Sequence, residues 1–317
     1  MRDIIEILKS ESRFVVTSHC SPDGDNIGST IGMIKALIKE GKEAYWALED
    51  SVPKSLHFLY QGVLQNQEFG NDEYVLIGLD CGDKARLCCS EEIVKNAKYV
   101  INIDHHISNP SYGDYNYLDF EASSTCELVY RIIKELNDEL LNEKEISEAI
   151  YAGIMTDTGN FMYSNTSPET FVVSGDLLSR GIDRQKIIEN LYQNNPKGYP
   201  RFLSKVLDTL HIHEEKIAVA YFTQEMLEES NVDYNDTEDV VNYTRDIEGV
   251  ELGILLKEKE KGLIKVSFRS KKILDVNILA SEFGGGGHKR AAGCTIKEEL
   301  PRALEMVLNA AKKALRG

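Results

Sequence analysis

The sequence predicts an α/β fold: a parallel doubly wound sheet in an N-terminal domain, followed by a smaller mixed α/β C-terminal domain. Two apolar runs, Tyr74-Val75-Leu76-Ile77-Gly78-Leu79 and Tyr99-Val100-Ile101-Asn102-Ile103, are short and continuous, as in parallel strands covered on both faces. Such runs alternate with segments of helical period, which calls for crossover connections. Beyond residue 200 the texture changes to strands with a hairpin, so a second architecture begins there.

Taken in order, residues 14–17 read as the first strand, residues 27–40 as a helix closed by Gly41, and residues 44–48 as the second strand. After residue 120 the pattern turns helical, over 124–136, 146–156, 168–180 and 184–192. Residues 193–200 carry two prolines, a glycine and two asparagines, which marks a linker. The predicted organisation is a domain over 1–192, a linker over 193–205 and a second domain over 206–317. In the latter, 217–222 reads as a strand and 252–256 with 263–268 as a hairpin. A glycine-rich loop at 284–287 follows, then an amphipathic helix over 301–315.

At 317 residues, with 42% apolar and 28% charged side chains, the composition is that of a soluble globular protein of two domains. The net charge of −16 argues against a broad basic surface for long nucleic acid. Residues 250–317 are the exception, with 14 Lys/Arg against 8 Asp/Glu, which suits a small anionic substrate held at one place. The six cysteines show neither zinc-ribbon spacing nor a dense secreted pattern. The N-terminus does not read as a signal peptide, and no apolar run reaches the length of a membrane span. The expectation is a cytoplasmic protein with no membrane partner.

Four polar clusters stand at the ends of apolar runs, where an α/β protein builds its site. The first, Ser18-His19-Cys20-Ser21-Pro22-Asp23-Gly24-Asp25, has the spacing H-x3-D-x-D. Imidazole with carboxylate oxygens suits Mn²⁺, Mg²⁺, Fe²⁺ or Zn²⁺, while a solvated Asx-type turn also accounts for it. In Leu79-Asp80-Cys81-Gly82-Asp83, Asp80 ends a strand, as a helix cap or as a ligand. Asp83 supports the site from behind, or pairs locally with Arg86. Asp104-His105-His106 follows another strand, and adjacent histidines point different ways, so one can ligate a metal while the other faces substrate. Asp104 can orient an imidazole from behind. Thr156-Asp157-Thr158-Gly159 reads equally as a helix end closed by glycine. Later, Gly284 to Gly287 precede His288, Lys289 and Arg290, a flexible turn or a backbone cradle for an anion.

Together these clusters resemble, in order, the HxxxDxD, LDxxD, DHH and TDTG elements of the DHH phosphoesterase superfamily. Ser267-Phe268-Arg269-Ser270 and the GGGGHKRAAG run resemble its DHH-associated C-terminal domain. The resemblance implies two divalent metal ions, most simply Mn²⁺. His19 and Asp23 would hold the first, Asp25, His105 and Asp157 the second, with Asp80 bridging. His106 would contact the phosphate or protonate the leaving oxygen. Arg269, Gly285, Gly286, Gly287, His288 and Arg290 would bind substrate, in a cleft between the domains. Ser18 departs from the Asp or Asn that relatives often carry, at a position that holds no metal.

Three readings of the substrate follow. The first is the oligoribonuclease and pAp phosphatase type, which cleaves dinucleotides and other very short RNA; a phosphodiesterase acting on cyclic dinucleotides or pApA is its sibling. The second is a phosphoanhydride hydrolase similar to family II pyrophosphatases, whose C-terminal domain lacks the GGGGH element. The third is a non-enzymatic nucleotide sensor, disfavoured because every expected ligand is present. A homodimer is compatible with all three.

Overall fold

The computed structural model describes residues 1–63, 65–66 and 73–316, and its backbone divides into two compact units, Met1–Asn194 and Asn195–Gly317. In the first, helix α1 (Arg2–Ser10) leads into β1 (Arg13–Ser18), α2 (Gly24–Lys39), β2 (Glu43–Trp46), β3 (Val75–Leu79), α3 (Glu91–Asn96), β4 (Tyr99–Asp104) and β5 (Tyr115–Leu118). Four helices follow: α4 (Thr125–Asn137), α5 (Lys144–Asp157), α6 (Pro168–Ser179) and α7 (Arg184–Tyr192).

The five strands form one parallel sheet in the order β2-β1-β3-β4-β5. Successive side chains of a strand point to opposite faces. Phe14 and Val16 accordingly enter the main core with α2, α4 and α5, while Val15, Leu76 and Val100 pack on the other face against Ile93 and Val94 of α3. Both faces are therefore apolar, as the continuous runs require. The strand order reverses between β1 and β3, and the C-terminal ends of strands at such a point leave a crevice for a site.

The second unit runs α8 (Tyr199–Asp208), β6 (His211–His213), β7 (Ile217–Phe222), α9 (Gln224–Ser230), α10 (Val240–Arg245), β8 (Leu252–Glu260), β9 (Leu263–Ser270), α11 (Val276–Ser281), β10 (Gly286–His288), β11 (Ala291–Ile296) and α12 (Leu300–Arg316). Its six-stranded sheet, β10-β11-β9-β8-β7-β6, is antiparallel except for the pair β7–β8. One face packs on α11 and α12 through Ala303, Val307 and Ala311, and the other on α8 to α10 through Phe202, Val206 and Val240.

Two expectations need correction. Residues 199–205, read as linker, begin α8: Pro200 sits in the first turn, where its missing N–H costs no hydrogen bond, and Phe202 and Val206 are buried. The glycine run 284–287 is not wholly a loop either, since Gly286 and Gly287 pair with Gly293 and Ala292 as an edge strand.

Candidate metal centre

Strand register brings the first ligands together. Ser18 lies opposite Leu79, and Leu79 opposite Ile103, so the residues that follow, His19, Asp80 and Asp104, emerge side by side. Asp80 has a positive φ of 51°, which costs a non-glycine residue about 1 kcal/mol or more and turns its carboxylate out of the sheet. Asp23 caps α2, its Oδ1 accepting the Asn26 N–H at 3.0 Å, and Asp25 follows in the first helical turn. Asp157 is the last residue of α5. The two helices can approach because Gly153 has no side chain: a Cβ there would lie 2.2 Å from Cys126 Sγ and 3.1 Å from Asp25 Cα.

Six predicted ligands converge as a result. His19 Nε2 lies 3.3 Å from Asp80 Oδ2 and 3.9 Å from Asp23 Oδ2. His105 Nε2 lies 3.7 Å from Asp80 Oδ1, 3.8 Å from Asp157 Oδ2 and 3.9 Å from Asp25 Oδ2. Asp80 thus stands between two groups, with one oxygen toward each. His106 Nδ1 approaches Asp80 Oδ1 at 3.6 Å but donates to Asp104 Oδ1 at 2.7 Å.

The electrostatics match a site built for cations. Burial lowers the His19 imidazole, but Asp80 and Asp23 outweigh it and push the group up to about 9. Burial also opposes charge on His105 and His106, yet Asp157 and Asp80 raise the first, and Asp104 and Asp80 the second. Burial and the neighbouring carboxylates Asp80, Asp157 and Asp23 raise Asp25 well above its usual range. Asp157 is pushed up to about 6, by burial and then by Asp23 and Asp80 against the pull of His105. Burial would raise Asp80 too, but His19, His106 and His105 hold it far below the usual range.

The donor set fits a pair of divalent ions. His19 Nδ1 is committed to the Cys20 carbonyl at 2.8 Å and His105 Nδ1 to the Ala122 carbonyl at 3.3 Å. A carbonyl only accepts, so both Nδ1 atoms carry hydrogen and both Nε2 atoms face the carboxylates, ready for a metal. His19, Asp23 and Asp80 offer ligand atoms within 4.8 Å of one another, as do Asp25, His105 and Asp157. Bonds of about 2.1 Å to a hard divalent ion put adjacent donors about 3 Å apart, somewhat under the 3.3 to 3.9 Å between the imidazoles and carboxylates here.

Several supporting residues escaped sequence reasoning. Asp25 accepts the N–H groups of Thr125 at 2.7 Å and Cys126 at 2.8 Å at the start of α4. Thr125 Oγ1 donates to Asp80 Oδ1 at 3.1 Å. Asn165 Nδ2 donates to the Asp157 carbonyl at 3.1 Å and to its Oδ2 at 3.3 Å. Asn109 Nδ2 donates to Asp104 Oδ2 at 2.6 Å. The run Ser123-Ser124-Thr125 is a visible helix-cap signal; nothing local marks Asn109 or Asn165. Asp104, fully buried, accepts the His106 Nδ1–H at 2.7 Å. Asp83 lies apart: exposed, it accepts from Ala85 N and caps its own turn.

In the second unit, Arg269 sits on β9 between Gly253 and Ala291, in the field of the Glu238 and Asp239 carboxylates. Gly287 has a φ of +147°, and a Cβ there would lie 2.6 Å from the Ala291 carbonyl. Its N–H donates to Asn277 Oδ1 at 3.0 Å, so that amide already has an acceptor. Gly285 packs as closely, its N–H donating to the Ala280 carbonyl at 3.0 Å, and His288 closes the short strand. Arg290 donates to the carbonyls of Lys272 and Leu274, bracing the turn after β9 rather than standing ready for substrate.

A family model described as the DHH family, N-terminal domain, matches residues 13–154, and one for the DHHA1 domain matches residues 214–316. A bifunctional oligoribonuclease and PAP phosphatase, NrnA, of Thermus thermophilus is 35% identical over 322 residues, 99% of this chain and 94% of that one. The chain belongs to the DHH family. It is a hydrolase acting on phosphate ester bonds. A protein of the same description from Bacillus subtilis is 27% identical over 93% of this chain and 92% of that one. Among solved structures of the DHH fold, an exopolyphosphatase-related protein of Bacteroides fragilis is 29% identical, covers 98% of this chain and 95% of that one, and superposes with a TM-score of 0.88. No helix among the described residues is long and apolar enough to cross a membrane.

Proposed function

We propose that this protein is a divalent-metal-dependent phosphoesterase that splits dinucleotides and other very short oligoribonucleotides into mononucleotides and removes the 3′-phosphate of pAp. The observation that carries this reading is the position of Asp80, one oxygen 3.3 Å from His19 and the other 3.7 Å from His105, between two clusters of ligand atoms. The relatives described as bifunctional oligoribonucleases and PAP phosphatases, matched over almost their whole length, favour this substrate class.

In this reading His19 and Asp23 would hold one ion and Asp25, His105 and Asp157 the other, with Asp80 shared by both, and Mn²⁺ suits these mixed imidazole and carboxylate donors. Such a pair supplies a nucleophile at neutral pH and offsets the charge of in-line displacement. The chain's own residues do the rest. Asp104 receives the His106 Nδ1–H at 2.7 Å and turns Nε2 outward, and His106 passes a proton from Nε2 to the leaving oxygen. Thr125 and the first N–H groups of α4 fix Asp80 and Asp25 before substrate arrives, so no reorganisation is needed at the reaction itself. Arg269 and His288 hold a phosphate or sugar of the substrate.

The test is a substrate panel with Mn²⁺: pAp, pApA, a cyclic dinucleotide, a five-nucleotide RNA and pyrophosphate, compared by kcat/KM. Dinucleotide and pAp should lead. A cyclic dinucleotide in first place would move the assignment to a cyclic-dinucleotide phosphodiesterase, and pyrophosphate in first place would overturn it.

A further inference from the structure

Asp104 is fully buried, and both its oxygens accept from partners with fixed positions. Oδ1 accepts the N–H of His105 at 2.8 Å, the N–H of His106 at 3.3 Å and the Nδ1–H of His106 at 2.7 Å. Oδ2 accepts from Asn109 Nδ2 at 2.6 Å. Asn109 also donates to the carbonyl of Cys81, the residue after Asp80, at 3.1 Å.

Asn109 belongs to a chain of three asparagine amides, two of them buried (Asn102 and Asn109) and the third, Asn116, half-buried. Asn102 Nδ2 donates to Asn109 Oδ1 and to Asn116 Oδ1, both at 2.9 Å, and Asn102 Oδ1 accepts from Asn109 Nδ2 at 3.2 Å. An amide can in principle face either way, but here the backbone decides. The Ser111 N–H, which can only donate, points at Asn109 Oδ1 at 2.9 Å. The Gly113 N–H points at Asn116 Oδ1 at 3.0 Å, and the Gly113 carbonyl accepts from Asn116 Nδ2 at 2.7 Å. One orientation fits every backbone partner, and it leaves Asn109 with a donor, never an acceptor, against Asp104; its two amide hydrogens are shared among three acceptors, of which Asp104 Oδ2 is the nearest at 2.6 Å. With Oδ2 so held, the carboxylate cannot rotate away from His106 without stranding a buried charge, which costs several kcal/mol in general.

We infer that Asn109 is a positioning residue, locking Asp104 through the Asn102–Asn109–Asn116 chain and thereby fixing the aim of His106 at the leaving oxygen. This rests on the phosphoesterase reading above. A merely structural role would lower stability and leave the chemistry of the folded enzyme alone.

Asn109→Asp separates the two. It keeps the size of the side chain and an acceptor for Ser111 and Asn102, but replaces the donor to Asp104 with a carboxylate oxygen. On a dinucleotide, kcat should fall about 10- to 100-fold, with KM within about twofold and Mn²⁺ stoichiometry unchanged. On bis(4-nitrophenyl) phosphate, whose leaving group needs no proton, the loss should shrink to about threefold or less. Combined with His106→Ala it should add nothing, because both changes remove one function. Asn116→Ala, one link further out, should give the same pattern at about threefold and serves if Asn109→Asp does not fold. Unchanged kcat in the variants of an active enzyme, or a loss equal on both substrates and additive with His106→Ala, overturns the inference alone. A wild-type enzyme inactive on both substrates overturns the reading beneath it.

Discussion

The backbone N–H of Thr125 donates to the Asp25 carboxylate at 2.7 Å, so a predicted metal ligand on α2 also caps the first turn of α4. Asp157 lies in the same cluster without that second task. At pH 8, above the value of about 6 to which burial, Asp23 and Asp80 push Asp157, its carboxylate is charged and adds repulsion to the metal-free centre. Asp157→Asn should therefore raise the Tm in EDTA and shrink the further rise on adding Mn²⁺. Asp25→Asn removes an acceptor from the helix terminus, a loss of about 1 kcal/mol, so its Tm in EDTA should rise less. Equal shifts for the two variants would contradict the capping role of Asp25.

Gly153→Ala should damage both stability and activity. Its Cβ would stand 2.2 Å from Cys126 Sγ and 3.1 Å from Asp25 Cα, and overpacking of this kind costs about 1–3 kcal/mol. Calorimetry should show the lower Tm, and a weakened Mn²⁺ affinity should follow from the displaced Asp25. A variant of normal Tm and normal Mn²⁺ affinity would mean the helices are not as tightly apposed as described.

Arg269→Ala should chiefly raise KM for a dinucleotide, by about tenfold, the worth of a lost charge-assisted hydrogen bond, with kcat little changed. Steady-state kinetics on the metal-loaded enzyme decides this. Loss confined to kcat would remove Arg269 from substrate binding.

Acid stability should report on Glu251. Burial pushes its carboxyl up, but the N–H groups of Leu274, Ile273 and Lys272, with the Arg290 charge, outweigh that and hold it below the ordinary carboxylate range. A carboxyl lowered on folding stabilises the fold above its unfolded pKa of about 4.3, and that contribution disappears as pH falls through the folded value. Glu251→Gln should therefore lower the Tm at pH 7, with the gap to wild type closing below about pH 4. A gap of the same size at pH 7 and pH 3 would show that the amide contacts do not depend on charge.

Much of this was legible in the chain because the chemistry sits where periodic structure ends. His19, Asp80 and Asp104 each follow an apolar run, and parallel register alone aligns them. Thr125, Asn109 and Asn165 were not legible, because their partners lie 45, 5 and 8 residues away and come into range only through tertiary packing. Strand β5 was missed because its four residues are only half-buried and include a polar Asn116. Helix α8 hid behind Pro196 and Pro200, since prolines mark a helix start as readily as a linker. The glycine run misled for a related reason: Gly286 and Gly287 serve a close strand pairing as well as a turn.

Isothermal titration of the metal-free protein with Mn²⁺, beside Asp80→Ala, bears most directly on the centre. Wild type should take up two ions per chain, and the variant, without the carboxylate shared by both clusters, should lose at least one and all turnover of dinucleotide. Fewer than two ions in the wild type, or a variant that binds and hydrolyses normally, would contradict the account.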